Sequence, residues 1–243
     1  TIGSSNTGVG GNVMRNNSTG SNNTAMGEYA LNLNTTGFNN TAIGQSSMYG
    51  NETGTNNTAT GVNSLSSNTS GSANSVVGYT AMYDNQSGSF NSVLGRNAAT
   101  YNTTGSNNTA IGSDALFSNK AGSNATAVGF GAMENTNITT TPFNNTNVAV
   151  GYQALRGSTD PNANTGNENT AIGYQSLWSN TEGENNTAIG QFALVSNTTG
   201  SNNTTLGGAT LGSNETGSSN SVLGAQAMYD NFSGSGNTAI GMN

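Results

Sequence analysis

The chain of 243 residues has 6% charged and 31% hydrophobic residues, 35 glycines and a formal net charge of -7. With four Lys and Arg residues there is no basic patch, so we expect no binding to nucleic acid. The absence of Cys and His excludes disulfides and also excludes thiolate or imidazole metal sites. No run of about eighteen apolar residues is present, and we therefore expect no membrane insertion.

A short motif, first clear at Asn40–Gly44 (Asn-Thr-Ala-Ile-Gly), returns along the whole chain with a fixed period. Its glycine recurs every seventeen residues from Gly10 to Gly129 and again from Gly173 to Gly241, with two steps of twenty-two between them. A constant period indicates a repeat architecture, and it argues against the disorder that so polar a composition otherwise suggests. We expect residues 1–243 to form one array of about fourteen coils, with two 22-residue coils at 125–168.

Each repeat is numbered here from the first Asn of its motif, so that the glycine of the motif is position 5. Position 2 is Thr or Ser in all copies but one, position 3 is small, and position 4 is almost always aliphatic. Position 9 is Leu or Met in most copies, position 12 is usually Asn, and position 15 is usually Gly. The sequence thus alternates short apolar stretches with turn residues, as stacked β-coils require.

This pattern predicts an all-β fold, a parallel β-solenoid or β-roll built from 17-residue coils. Positions 1 to 4 form one predicted strand, and positions 7 to 10, such as Gln153–Arg156, form a second. Residues at positions 2 and 4 share a face, and we expect position 4 to fill a thin core together with position 9. The Ala and Val residues of position 3 then form an outer stripe, through which we expect a second chain to pack.

Asn residues at positions 1 and 12 offer two interpretations. Stacked in register, they can pair their amides along the axis, as Asn does in cross-β structure, or they can serve turn chemistry alone. Position 12 also reads Asn-x-Ser/Thr in nine copies, which makes these Asn residues candidate glycosylation sites on an exposed edge. The candidates are Asn17, Asn34, Asn51, Asn68, Asn85, Asn102, Asn197, Asn214 and Asn231.

The two long coils carry insertions that contain the only prolines of the chain, at Asn137–Phe143 and Arg156–Asn162. Insertions in solenoids map to loops at one edge, so these two are expected to be neighbours and to form one bump. The bump is either a tolerated pair of loops or a binding knob.

Aromatic residues follow position 9 in several coils, and we expect them to cover a second edge by packing or to bind glycans. They are Tyr49, Tyr83, Phe117, Trp178 and Tyr229.

Catalytic chemistry is poorly represented, because an active site needs converging titratable groups. The eleven acidic residues are scattered, and the closest pair, Glu182 and Glu184, has no base beside it. No Asp recurs at a fixed position as a repeated Ca²⁺ site requires. We therefore predict no enzyme activity, no catalytic residues, no metal site and no cofactor; a carboxylate pair that cleaves polysaccharide is the open alternative.

The stretch Asn169–Thr181, with Asn-Thr-Ala-Ile-Gly followed by Tyr-Gln-Ser-Leu and Ser-Asn-Thr, resembles the repeats of phage tail-fibre and bacterial surface proteins. Its Ala-Ile-Gly core is similar to the YadA-like heads of trimeric autotransporter adhesins. The resemblance extends from Asn6 onward, although adhesin-head repeats are usually shorter. It implies a left-handed parallel β-roll, a homotrimer, and an extracellular, cell-surface or virion location.

The leading functional hypothesis is a non-catalytic structural or adhesive fibre segment, extracellular and self-associating as a homotrimer or a filament. Alternatives are a self-assembling filament subunit, with or without glycans, and a solenoid that binds glycans or ice through the Thr ladder of position 2. Ice binding is disfavoured if Thr41 and Ile43 point inwards, as the predicted core requires. The chain begins at Thr1 in mid-repeat, and we expect it to be a segment of a longer fibre.

Overall fold

The computed structural model describes residues 3–242, and within them the chain forms a parallel β-solenoid of stacked coils. One strand from each coil joins a fourteen-stranded parallel sheet in which each residue pairs with its counterpart one coil later, as Thr24 does with Thr41. Thr1, Ile2 and Asn243, on which the expectation about the chain ends rests, lie outside the described residues. The fold class predicted from the period is confirmed; the left-handed sense stays a prediction.

The strands of this sheet are three residues long and occupy positions 2 to 4. They are β1 (Thr7–Val9), β2 (Thr24–Met26), β3 (Thr41–Ile43), β4 (Thr58–Thr60), β5 (Ser75–Val77), β6 (Ser92–Leu94), β7 (Thr109–Ile111), β9 (Thr126–Val128), β11 (Val148–Val150), β12 (Thr170–Ile172), β13 (Thr187–Ile189), β14 (Thr204–Leu206), β15 (Ser221–Leu223) and β16 (Thr238–Ile240). A second sheet pairs β8 (Gly122–Ser123) with β10 (Phe143–Asn144), also in parallel.

The predicted second strand at positions 7 to 10 is wrong, because this part of each coil is a turn. Positions 7 and 9 adopt positive φ angles, for example 54° at Ser46 and 49° at Met48, which no β-strand contains. The coils are nevertheless bonded here: the amide of Met48 donates to the carbonyl oxygen of Ser64 in the next coil at 2.9 Å. Regular stacking thus supplies hydrogen bonds without extended backbone.

The two faces of the strand are assigned the opposite way from the prediction. Ala42 at position 3 is fully buried, whereas Ile43 at position 4 is 39% exposed, and the same pattern recurs along the sheet. The reason is thickness: the sheet lies so close to the opposite wall that only a small side chain fits between it and the large position-9 residue. Positions 2 and 4 do share a face, as predicted, but that face points outwards.

The core is a narrow column of Ala with one large side chain per coil. Position 3 contributes Ala or Val, position 8 contributes Ala in most coils, and position 9 contributes a buried Leu or Met in nearly all, as predicted. Fully buried position-9 residues are Leu31, Met48, Leu65, Met82, Leu116, Met133, Leu177, Leu194 and Leu211. Burying a Leu or Met side chain contributes roughly 1.5–3 kcal/mol, so each coil depends on its neighbours for most of its stability.

A ladder of buried Asn amides at position 12 runs beside this column. The Nδ2 of Asn51 donates to Oδ1 of Asn34 at 2.7 Å, and Asn68 donates to Asn51 at the same distance. The second N–H of each amide bonds within its own coil, as from Asn68 to the carbonyl oxygen of Gly71 at 2.9 Å. The prediction of paired amides along the axis is confirmed, and both amide hydrogens are satisfied in the interior.

Asn at position 1 forms a second buried ladder that meets the first at a shared carbonyl. Oδ1 of Asn40 accepts from the backbone amide of Asn57 in the next coil at 3.0 Å. Its Nδ2 donates to the carbonyl oxygen of Gly54 at 2.8 Å, the same oxygen that accepts from Asn51 at 3.1 Å. One glycine carbonyl therefore ties positions 1 and 12 of each coil together.

Glycine at position 15 is required by this crowding. A Cβ built at Gly88 would collide with the carbonyl oxygen of Gly105 and lie 2.5 Å from Oδ1 of Asn85. Such contacts are shorter than packing tolerates, so a side chain here would push neighbouring coils apart.

The two long coils lie side by side, as predicted, with β9 paired to β11. A short 3-10 helix, Pro161–Ala163, is capped by Asp160, whose carboxylate accepts from the amide of Asn162 at 3.0 Å. The side-chain amide of Asn164 donates to the carbonyl oxygens of Asn135 in the preceding coil and of Ser158 in its own. The two long coils are thus bonded to each other next to their insertions.

Candidate functional site

The most extensive candidate site is the outer face of the long sheet, which we define as the side chains of positions 2 and 4. Position 2 gives a rank of hydroxyls interrupted only at Val148, and position 4 gives an aliphatic rank interrupted at Thr60. No charged residue belongs to either rank. Exposed large side chains of position 4 are Val9, Met26, Ile43, Val77, Leu94, Ile111, Ile172, Leu206, Leu223 and Ile240.

The stripe expected to hold a second chain is therefore misplaced. Ala110 and Ala188 at position 3 are fully buried inside their own coil and offer no surface to a partner. The residues that sequence reasoning placed in the core, such as Ile111 and Leu206, stand in the exposed stripe instead. Small size at position 3 reflects intrachain packing against the position-9 column.

Aromatic side chains form two groups on the coil surface. The predicted residues after position 9 are half-exposed and make edge contacts, as between Phe117 and Tyr101, whose ring centroids lie 4.9 Å apart. A second group at position 6 was missed: Phe130, Tyr152 and Tyr174 stack with centroids 5.3 and 5.1 Å apart. The available signal was an aromatic directly after the motif glycine in three consecutive coils. Because these rings face one another, part of their surface is already covered.

Charged groups do not converge on a catalytic arrangement within the described residues. The single ion pair there joins Nε of Arg156 to a carboxylate oxygen of Glu134 at 2.7 Å, and the Arg156 guanidinium lies 5.9 Å from the Trp178 ring centroid. Burial raises the pKa of Asp84, and the charge of Lys120 lowers it in opposition. Glu182 and Glu184 are both exposed at a turn. Residues 3–242 contain no group of three or more acidic side chains placed to hold a metal ion.

The Asn candidates for glycosylation are not on an exposed edge, and that part of the prediction is wrong. Seven of them are at most 1% exposed: Asn34, Asn51, Asn68, Asn85, Asn102, Asn197 and Asn214. The other two, Asn17 and Asn231, are partly buried near the ends of the described array. The Nδ2 atoms of the candidates, to which a glycan would be attached, donate hydrogen bonds within the coil or along the ladder, as from Asn17 to the carbonyl oxygen of Gly20 and from Asn231 to Oδ1 of Asn214, so a glycan does not fit the folded coil.

Exposed Asn-x-Thr triplets do occur, but at position 17. There the Asn lies in a left-handed turn conformation with its side chain in solvent, for example with φ of 57° at Asn39. These exposed residues are Asn22, Asn39, Asn56, Asn107, Asn124, Asn185 and Asn202. Sequence reasoning missed them because the Asn-x-Ser/Thr triplet occurs at both positions, and only the folded coil shows which Asn is exposed.

No family model, curated protein or solved structure matches this chain. The part of the chain that the structure describes also has no helix long and apolar enough to cross a lipid bilayer. The outer face and the surface around the long coils are therefore the features on which a functional argument rests.

Proposed function

We propose that this chain is a non-catalytic structural or adhesive segment of an extracellular fibre that self-associates along its outer face. The observation that carries the proposal is the uncharged stripe of aliphatic side chains along the fourteen-stranded sheet, interrupted only at Thr60. A long exposed apolar stripe is rare on proteins that remain monomeric in water. The extracellular location and the homotrimeric state come from the resemblance to tail-fibre and adhesin-head repeats and are part of the proposal.

The size of the outer face supports a second copy as its occupant. Fourteen strands at roughly 4.8 Å spacing give a stripe about 65 Å long. If it is roughly 10 Å wide, it offers about 650 Å² per chain, close to the roughly 800 Å² per partner of a standard interface. Because every coil repeats the same two ranks, copies aligned in register bring hydroxyl and aliphatic ranks together along their full length.

Charges placed on the stripe test this proposal. We expect the double variant Ile111→Asp and Ile189→Asp to shift sedimentation of the protein at micromolar concentration from an oligomer to a monomer. A buried aspartate at the interface lacks a partner, and its desolvation opposes association. Circular dichroism of the variant should remain that of the parent, since both side chains point away from the core.

The matched control places the same two charges off the outer face, in the same part of the array. Asn107→Asp and Asn185→Asp change exposed position-17 residues whose turn conformation Asp tolerates. This control should keep the oligomer intact. A folded monomer for the parent protein, or equal dissociation in both double variants, would contradict the proposal.

Ice binding is a second candidate, favoured by the outward direction of the position-2 hydroxyls, which the predicted core had placed inside. Evenly spaced Thr residues on a flat sheet suit an ordered water lattice, but the neighbouring rank varies in size from Val128 to Met26. Thermal hysteresis of the parent at micromolar concentration would support this use of the face. If the protein forms an oligomer that covers the face and shows no thermal hysteresis, the ice-binding hypothesis is wrong.

A further inference from the structure

The position-12 ladder is broken at the two long coils, and the break leaves buried polar atoms without partners. Asn119 donates to Oδ1 of Asn102 at 3.1 Å, but its own Oδ1 accepts no bond because Thr136 occupies position 12 in the next coil. The ladder begins again at Asn180, which accepts from Asn197 at 2.7 Å. Oγ1 of Thr136 and Nδ2 of Asn135 are likewise buried and unpartnered.

The position-1 ladder is also interrupted at the long coils, but another side chain fills this gap, whereas the gap in the position-12 ladder stays unfilled. Ala125 has no side-chain amide, and Asn145 from the end of its coil takes over: its Oδ1 accepts from Nδ2 of Asn147 at 2.8 Å. Asn145 is 2% exposed. The protein thus fills one interruption with a side chain and leaves the other open.

A cavity of about 30 Å³ lies at the open interruption. Its lining includes two of the three unpartnered groups, Asn135 and Thr136, together with Asn180 and Thr181 from the far side of the break; Asn119 does not line it. Thr136 is only 8% exposed, and its hydroxyl makes no hydrogen bond within the protein. A water molecule needs roughly 10–15 Å³ of such space and two to four polar partners, so the cavity holds about two waters.

We propose that this cavity is a hydration site in which ordered water bonds the unpartnered Asn135 and Thr136 where the Asn ladder is interrupted. Water suits the lining because it both donates and accepts. It can accept from Nδ2 of Asn135 and exchange hydrogen bonds with the Thr136 hydroxyl. A cation suits it poorly, since no charged residue lines the cavity and the Asn135 N–H group would point at the ion. Without water, each buried group would lose its hydrogen bonds to solvent and gain none in return.

A crystal structure of the parent protein at high resolution tests the proposal directly. We expect electron density for water within about 3 Å of Oγ1 of Thr136, a normal hydrogen-bond distance. An empty cavity would overturn the proposal. Crystals soaked in rubidium chloride should show no anomalous peak in the cavity. A peak there would mean that a monovalent cation occupies the cavity in place of water, and it would overturn the proposal.

Two variants and a control strengthen the test. Thr136→Asn restores the usual position-12 residue and should displace at least one water, while Thr136→Val keeps the shape but removes a hydrogen-bond partner and should weaken the water density. Thr104→Val is the control, because its hydroxyl is also buried and unpartnered but does not line this cavity. If Thr136→Val leaves the water density unchanged, the hydroxyl is not a ligand and the site as proposed is wrong.

Discussion

At the scale of single residues, asparagine has opposite environments in one coil. At positions 1 and 12 of the regular coils its amide is buried and hydrogen-bonded, whereas at position 17 it lies in solvent with positive φ, as at Asn107. The residue type alone does not distinguish these cases, since asparagine serves equally in buried ladders and in left-handed turns. What distinguishes them is the distance to the core column, which only the closed coil defines.

Glycine at position 15 provides a sharp residue-level prediction. We expect Gly88→Ala to lower the free energy of unfolding by about 1–3 kcal/mol, because the added Cβ meets backbone of the next coil and Asn85. Gly208→Ala is the matched control: its nearest atom beyond chain neighbours, the carbonyl oxygen of Gln191, lies 3.9 Å from the new Cβ. Thermal unfolding followed by circular dichroism compares the two, and an equal Tm for both variants would contradict the crowding argument.

Asp84 makes the stability depend on pH in a defined direction. Burial raises the pKa of its carboxyl, and Lys120 only partly offsets this, so the folded state favours the protonated form. The folded state therefore gains stability from the preference of Asp84 for its protonated form. This gain is complete below the unfolded pKa of about 3.9, and it is lost as pH rises through the folded pKa. Asp84→Asn, neutral at every pH, should have a higher Tm than the parent at pH 7.

The difference should shrink in acid, where both proteins carry a neutral group at this position. Measurement of Tm for both proteins at pH 7 and at about pH 3.5 checks this. A variant less stable than the parent at pH 7 would mean that the Asp84 charge is favourable in the fold.

At the scale of the element, each coil is one strand and a long turn held by two amide ladders. The period and the strand at positions 2 to 4 follow from the sequence, because alternation and a terminating glycine are local signals. Which face of the strand is buried does not follow from the sequence, because it depends on how near the opposite wall of the coil lies. With Ala42 inside and Ile43 outside, hydrophobicity alone selects the wrong face.

The turn at positions 6 to 11 was missed for a related reason. Its left-handed residues include Leu65 and Met82, which rarely adopt positive φ. They do so because burial of the large side chain and hydrogen bonds to the next coil outweigh the local strain. Such a conformation is fixed by stacking and leaves no mark in the local sequence.

Removal of a donor from the position-12 ladder should lower the free energy of unfolding strongly. Asn68→Asp replaces Nδ2, which bonds Asn51 and Gly71, with a second carboxylate oxygen facing two acceptors. A buried, unpaired charge of this kind should cost about 3–5 kcal/mol of unfolding free energy. Asn107→Asp, the same change at an exposed site, should cost less than about 0.5 kcal/mol.

Chemical denaturation monitored by circular dichroism measures both variants. Stability of Asn68→Asp that recovers sharply in acid would identify the charge, rather than the lost donors, as the main cost. Equal stability of the two variants at neutral pH would show that the ladder is not needed for folding.

At the scale of the whole molecule, every coil contacts only its neighbours, so whole coils should be removable. Deletion of residues 58–74, one full period, joins Asn57 to Ser75 and keeps every later residue in phase. We expect a folded rod shorter by roughly 4.8 Å, the strand spacing. Small-angle scattering and circular dichroism check length and fold.

Deletion of residues 58–65 is the matched control, because it removes about half a coil and moves all following positions out of register. This chain should lose the cooperative unfolding of the parent. A folded half-coil deletion would show that the sheet re-registers freely, contrary to stacking in fixed phase.

The site was less predictable than the fold. That two long coils meet in one bump follows from their order, but the bond from Asn164 to Asn135 and the small cavity beneath depend on three-dimensional closure. A surface for a second chain was predicted at position 3, but the residues that form the outer face are those of positions 2 and 4. Sequence periodicity reveals that ranks exist; packing decides which of them meets solvent.

The directionality of the amide ladders has an electrical consequence. In the position-12 column each Nδ2 points towards the N-terminal neighbour and each Oδ1 towards the C-terminal one, as from Asn85 to Asn68. Amide dipoles aligned in this way add, much as peptide dipoles do along a helix. The column resumes with the same sense after its break, so the two segments reinforce each other. The position-12 column therefore contributes to the rod a dipole with its positive end towards β1 and its negative end towards β16.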